Sequence, residues 1–219
     1  MANADLFQQF RTYLTENQPH YWAMLKQMVA INSFTANAEG VDAVGQLTAD
    51  LFAPLGFTAD TAPSIHPEYG HHWVLTRPGR SGRKIGLVSH LDTVFPPDEE
   101  VRNSFHWREE GDRIYGPGTV DIKGGTVLIY MMMAALQAIV PDLYEDITWV
   151  VLLDASEERD GSDFGQVCLD RLAGDTVACL IFEGGKVVGK DHWVVVARKG
   201  MAIYRVTAQG RAAHAGSAH

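Results

Sequence analysis

The chain has 219 residues, enough for one large domain or one domain with part of another, and long enough to bury a core without disulfide or metal staples. Its 46% apolar and 21% charged residues are ordinary for a soluble globular protein, and its net charge of −9 argues against a nucleic-acid backbone as partner while leaving small substrates open. The longest apolar run, 127–136, is too short to cross a bilayer, the start MANADLFQQFRTYL shows no secretory leader, and the two cysteines, Cys168 and Cys179, suit a reducing compartment, so no membrane is expected and the cytoplasm is the expected location.

Residues 4–31 read as helical, with Leu6, Phe7, Phe10 and Leu14 on one face and Trp22, Met24, Leu25, Met28 and Val29 in a second apolar set; Pro19 divides them into two helices. Residues 32–40 form a polar loop, 41–55 a third helix, and Gly56 sits where a capping glycine belongs. Short apolar runs at 72–76 and 84–89 then predict two strands joined as a hairpin through RPGRSGR. A polar loop over 96–107 precedes a strong helix at 124–140, which Pro141 stops. The near-continuous apolar run 147–153 predicts a strand buried on both faces, followed by a helix at 164–172 and strands at 177–182, 193–197 and 202–207. This alternation predicts an α/β fold with a mostly parallel, helix-covered sheet, whose chemistry collects beyond the carboxyl ends of its strands.

Four polar clusters stand at such ends or open a helix. In SHLDT, period two points His90 and Asp92 the same way, as a ligand and the carboxylate that orients it, or as a strand-end histidine with a loop-capping aspartate. In YGPGTVDIKGG, glycines surround Asp121 and Lys123 just before the long helix. Neither a phosphate-loop pattern nor a complete dinucleotide fingerprint is present there, and a turn-forming aspartate is the plain alternative. Glu157 and Glu158 directly follow the 147–153 run, and adjacent carboxylates repel unless a cation or proton separates them; a solvated acidic loop is their plain reading. Glu183 ends the 177–182 run before two glycines, as a ligand or as a turn glutamate. Jointly, one histidine and several carboxylates on one sheet edge suit a hard or borderline divalent cation: zinc, manganese or cobalt. Two ions roughly 3.5–4 Å apart could share a water, with one of the paired glutamates left unligated as general base. His71 and His72, before a strand, read as solvated side chains; the run of Met131 to Met133 reads as helix packing; and Cys168 has no nucleophile motif around it.

HLDT, GPGTVDIKGG, SEE and FEGG, in this order, resemble the zinc-dependent M20 metallopeptidase family, and the likeness runs from about Trp22 onward. The resemblance implies a zinc exopeptidase-like catalytic domain over 1–197 and, over 198–219, the first strand of a small α+β lid and dimerisation domain. It implies two zinc ions, with cobalt or manganese as substitutes. His90 and Glu183 would hold one ion, Glu158 the other, and Asp121 would bridge them. Asp92 would orient His90, Glu157 would be the general base and acid, and His214 would help hold the substrate. The implied reaction is hydrolysis of an amide bond in a small peptide or N-acyl amino acid, carboxypeptidase-like, by a homodimer assembled through the lid. Family members continue past this point to a second metal-binding histidine that nothing here matches. The expectation is therefore a truncated chain, weakly active alone. The rival expectation is a catalytically impaired M20-like protein that binds a ligand or partner.

Overall fold

The structure is a computed structural model that describes residues 2–159, 161–197 and 204–210. The chain divides into two compact units, Met1–Gly184 and Gly185–His219. The first unit runs α1 (Ala2–Glu16), α2 (Gln18–Val29), α3 (Ala38–Phe52), β1 (Thr58–Pro63), β2 (His71–Arg77), β3 (Lys84–His90), α4 (Pro97–Arg102), β4 (Arg108–Glu110), β5 (Arg113–Tyr115), α5 (Lys123–Ile139), α6 (Pro141–Asp146), β6 (Thr148–Asp154), α7 (Phe164–Leu172) and β7 (Thr176–Ile181).

Its five-stranded sheet has the order β1-β2-β6-β3-β7. β3 is parallel to both β6 and β7, while β2 is antiparallel to β6 and to β1, so β2 alone opposes the common direction. The expected α/β class and mostly parallel sheet are therefore observed. Alternation along the strands serves both faces, as a doubly covered sheet requires. Leu75, Leu87, Val151 and Leu153 join Val44 and Phe52 of α3 and Ile129 and Met133 of α5 in the main core. Val74, Val150 and Leu152 pack with Phe164 of α7. Met24, Leu25, Met28 and Val29 of α2 pack on Val127 of α5, whereas Trp22, expected among them, is exposed, as is Phe7. Met133 is fully buried, in keeping with a packing role for the methionine run.

Several expectations need correction. The strands at 72–76 and 84–89 are not a hairpin: β6 lies between β2 and β3. The RPGRSGR connection instead spends its backbone bonds on the turn into β6, with the N–H groups of Arg80 and Ser81 donating to the carbonyls of Glu145 and Asp146, both at 2.9 Å. Any side chain at Gly79 would collide with the backbone of Ile147, so the close approach needs glycine there. β1, in TADTAP, was not foreseen because it is an exposed edge strand without apolar alternation. Pro141 ends α5 but also opens α6, where its missing N–H costs nothing. Within 96–107 there is a short helix, α4, and the β4–β5 hairpin follows it. Gly56 caps as expected, with φ +84°, after a 3-10 turn at Ala53–Leu55. His72 is fully buried inside β2, not solvated, whereas His71 is exposed.

The second unit contains a small hairpin of β8 (Val187–Val188) and β9 (Asp191–His192), whose base is closed by the Trp193 N–H donating to the Lys186 carbonyl at 3.0 Å. The apolar stretch 193–197, expected as a strand, is not one, and neither is 204–207; the remainder of the 202–207 candidate lies outside the described residues, as does His214. No helix among the described residues is long and apolar enough to cross a membrane.

Candidate metal centre

Parallel strands end at one edge of the sheet, and the polar clusters follow those ends. β3 stops at His90, whose register partner is Asp154 at the end of β6. Glu157 and Glu158 follow β6, and Glu183 follows β7, where the Phe182 N–H donates to the Val88 carbonyl at 2.8 Å and holds that chain beside β3. Asp121 arrives from the loop that opens α5. That loop is held from beneath by Lys123, which is fully buried and donates from Nζ to the Ile31 carbonyl at 2.8 Å. Burial lowers the Lys123 pKa to about 8, against the opposing charge of Glu100. Gly118 takes φ +76° directly against the Lys123 and Thr93 side chains, a turn only glycine adopts freely. α5 is fixed to β3 by the Ser89–Thr126 hydroxyl pair at 2.9 Å.

His90 is buried and each ring nitrogen has partners. Nδ1 lies 3.0 Å from the Asp92 carbonyl oxygen and 3.3 Å from Asp92 Oδ1. Nε2 lies 3.0 Å from Asp121 Oδ1 and 3.7 Å from Glu183 Oε1. Asp92 thus contacts His90 through its backbone as well as its carboxylate; β3 has already ended, so strand periodicity alone is not what brings the two together. The Asp92 carboxylate is almost fully buried and accepts three further bonds: from the Thr35 hydroxyl at 2.6 Å, from the Glu157 N–H at 3.1 Å and from the Glu158 N–H at 3.2 Å. It therefore positions the backbone of the glutamate pair as well as the imidazole.

Burial alone would lower the His90 pKa, but the hydrogen bond and charge of Asp92, with Glu183 and Glu157, push it up to about 9. Burial, with neighbouring carboxylates, raises both Glu157 and Glu158 above the ordinary glutamate range, while His90 pulls each of them down. Burial comes first for the two glutamates; what all three groups share is the excess of carboxylates over cations at this edge, which raises each of them. Among the described residues, His90, Asp121 and Glu183 form the one His/Cys/Asp/Glu group able to hold an ion, with ligand atoms all within 4.8 Å of one another. One imidazole and two carboxylates are a donor set for a divalent cation of the zinc class, and such an ion would supply the missing positive charge. Glu158, expected to ligate a second ion, and Glu157, expected as the general base, are both outside this group.

The sequence matches the profile of peptidase family M20/M25/M40 over residues 86–215, more than half of the chain. The chain belongs to that family. Among its M20-type relatives, carboxypeptidase G2 of Pseudomonas sp. (strain RS-16) is 32% identical over 204 residues, covering 93% of this chain and 48% of the relative. A succinyl-diaminopimelate desuccinylase of Variovorax paradoxus (strain S110) is 25% identical over 205 residues, covering 90% of this chain and 51% of the relative. The chain spans about half the length of these curated relatives. The fold is similar to that of human carnosine dipeptidase 1, with TM-score 0.66 and 18% identity over 80% of this chain and 40% of that one. It is also similar to an M20 family metallo-carboxypeptidase from Sulfolobus solfataricus, with TM-score 0.57 and 18% identity over 75% of this chain and 37% of that one.

Two polar residues of this edge were not singled out as site residues. Thr35 stands in a loop 57 positions before its partner Asp92, and nothing local marks it. His72 looked like part of a solvated pair until β2 carried it into the sheet. Burial, with Cys179 and Asp154, raises the Cys168 thiol to about 11.

Proposed function

We propose that this chain carries the metal-binding half of a hydrolase that cleaves an amide bond in a small peptide or N-acyl amino acid. The observation that carries the reading is the convergence of His90, Asp121 and Glu183, from three separate parts of the chain, on one space at the carboxyl edge of the sheet. These three would hold one zinc ion, and Glu158 with Asp121 would contribute to a second; cobalt or manganese would serve as substitutes. The chemistry supplied there by the ion is Lewis-acid polarisation of a water and of the scissile carbonyl. Glu157 accepts the proton of the attacking water at its carboxylate and returns it to the leaving amine nitrogen. Its raised pKa is the direction such a shuttle needs, since a proton must be both taken and given near neutral pH. Asp92 fixes the His90 ring through Nδ1 and leaves Nε2 to face the carboxylates. His214 would hold the substrate from a lid through which two copies pair. The relatives named carboxypeptidase and desuccinylase support the substrate class.

The test is calorimetric titration of the chain with Zn2+. Binding should be lost in Glu183→Ala and retained in Glu157→Gln, and in a chain extended to the full length of its relatives the hydrolysis of a model N-acyl amino acid should disappear in Glu157→Gln. Zinc binding that is unaffected by Glu183→Ala would overturn the assignment. Zinc binding without turnover in the chain of full length would favour the impaired, ligand-binding alternative.

A further inference from the structure

His72 is a second buried histidine on this edge, and the proposed chemistry does not use it. Because β2 runs against β6, the start of β2 lies beside the end of β6: Trp73 is paired with Leu153, so His72 stands next to Asp154. Its side chain is fully buried, and both ring nitrogens have partners. Nδ1 lies 3.2 Å from Asp154 Oδ1, to which the protonated ring donates, and 3.1 Å from the backbone N of Ala155, whose N–H donates to Nδ1 only when the ring is neutral there. Nε2 lies 3.1 Å from Asp163 Oδ2. The ring leans on Phe164, with centroids 5.2 Å apart.

These partners lie at the two ends of one segment. Asp154 and Ala155 are where the chain leaves β6, and Asp163 and Phe164 are where it enters α7. Glu157 and Glu158 lie between them. Asp163 is itself tied back to the stretch before β2, accepting the Ile65 N–H at 2.6 Å, and Asp154 Oδ1 accepts the Ser156 N–H at 2.9 Å. The segment is thus gripped in its middle by Asp92 and at both ends by one imidazole. A polar group buried among carboxylates is an expensive way to fill space, since a well-packed apolar side chain often serves stability as well or better. What an apolar side chain cannot do is fix a span between two acceptors.

We propose that His72 is a positioning residue: by bridging Asp154 and Asp163 it sets the span of the segment 155–163 and so aims Glu157 and Glu158 at the site. This rests on the proposed function only for the work assigned to the two glutamates.

The experiment is hydrogen exchange on the metal-free chain, so that its outcome does not depend on zinc binding. In His72→Leu, the Glu157 and Glu158 amides should exchange about tenfold faster or more, the effect of losing a buried hydrogen bond, while β2 and β6 keep their protection. Asp163→Ala, at the solvent side of the clamp, should give the same local pattern if His72→Leu does not fold. His72→Gln, whose amide nitrogen reaches toward the place of Nε2, should recover part of the lost protection. The proposal is overturned if the Glu157 and Glu158 amides are unaffected, if β2 and β6 loosen equally, or if Gln is no better than Leu. Failure of the wild-type chain to bind zinc would count against the proposed function and leave this result standing.

Discussion

His72 and His90 are both buried at one edge of one sheet, on the two strands that flank β6, and both lie between carboxylates. They differ in what meets the outer nitrogen. Nε2 of His72 meets one carboxylate oxygen, Asp163 Oδ2, which also accepts a backbone N–H from Ile65. Nε2 of His90 meets two carboxylates from different parts of the chain, with ligand atoms all within 4.8 Å. The first is a closed hydrogen-bond circuit; the second is an excess of negative charge that calls for a cation. Burial beside an acid is therefore not a metal signature. Convergence of several anionic atoms on one imidazole nitrogen is the distinguishing feature.

Removing each histidine separates the two regions most strongly. His90→Ala should lower zinc affinity by more than about a hundredfold, beyond the ~10–100-fold typical of outer-shell partners, while His72→Ala should stay within about that outer range. Calorimetric titration of both variants checks this, and equal losses would erase the distinction. Next in size, Thr35→Val removes a charge-assisted bond to the buried Asp92 carboxylate and should cost about 1.5–3 kcal/mol of stability by denaturant melts. It should also weaken zinc binding about tenfold by loosening the group that orients His90.

The third prediction concerns pH. Burial pulls the His72 pKa down, but hydrogen bonds and charge from Asp154 and Asp163 outweigh it and leave the value above its ordinary 6.5. A group with a raised folded-state pKa contributes stability that is fully present below the unfolded value and is lost as pH rises through the folded one. The melting temperature of the wild type relative to His72→Gln should therefore fall as pH rises above 6.5, whereas a pH-independent difference would contradict the paired-carboxylate reading. The smallest effect belongs to the neighbouring His71, which is exposed and paired with Asp42 at 2.9 Å. His71→Ala should change stability by no more than about 1 kcal/mol, as surface ion pairs do, and should leave zinc binding unchanged.

The legible part of the molecule was the part where burial writes itself into local pattern. The apolar runs that became β3 and β6 each lead into a polar cluster, and an α/β sheet gathers such clusters at one edge. That was enough to single out His90, Asp121, Glu157, Glu158 and Glu183 as neighbours-to-be. What stayed hidden depended on pairing between distant segments. The insertion of β6 between β2 and β3 is decided by where the 78–83 connection finds its bonds, more than 60 residues away along the chain. That same pairing takes His72 from apparent solvent into the sheet. β1 is exposed on its outer edge and has no apolar alternation to read. The valine-rich stretch 193–197 has strand composition but no strand in the structure, a case where propensity without a pairing partner misleads.

The most direct test is anomalous diffraction at the zinc edge from crystals of this chain grown with zinc. The account predicts a peak bounded by His90 Nε2, Asp121 and Glu183, and none beside His72. A peak elsewhere, with His90 still hydrogen-bonded to Asp121, would contradict it.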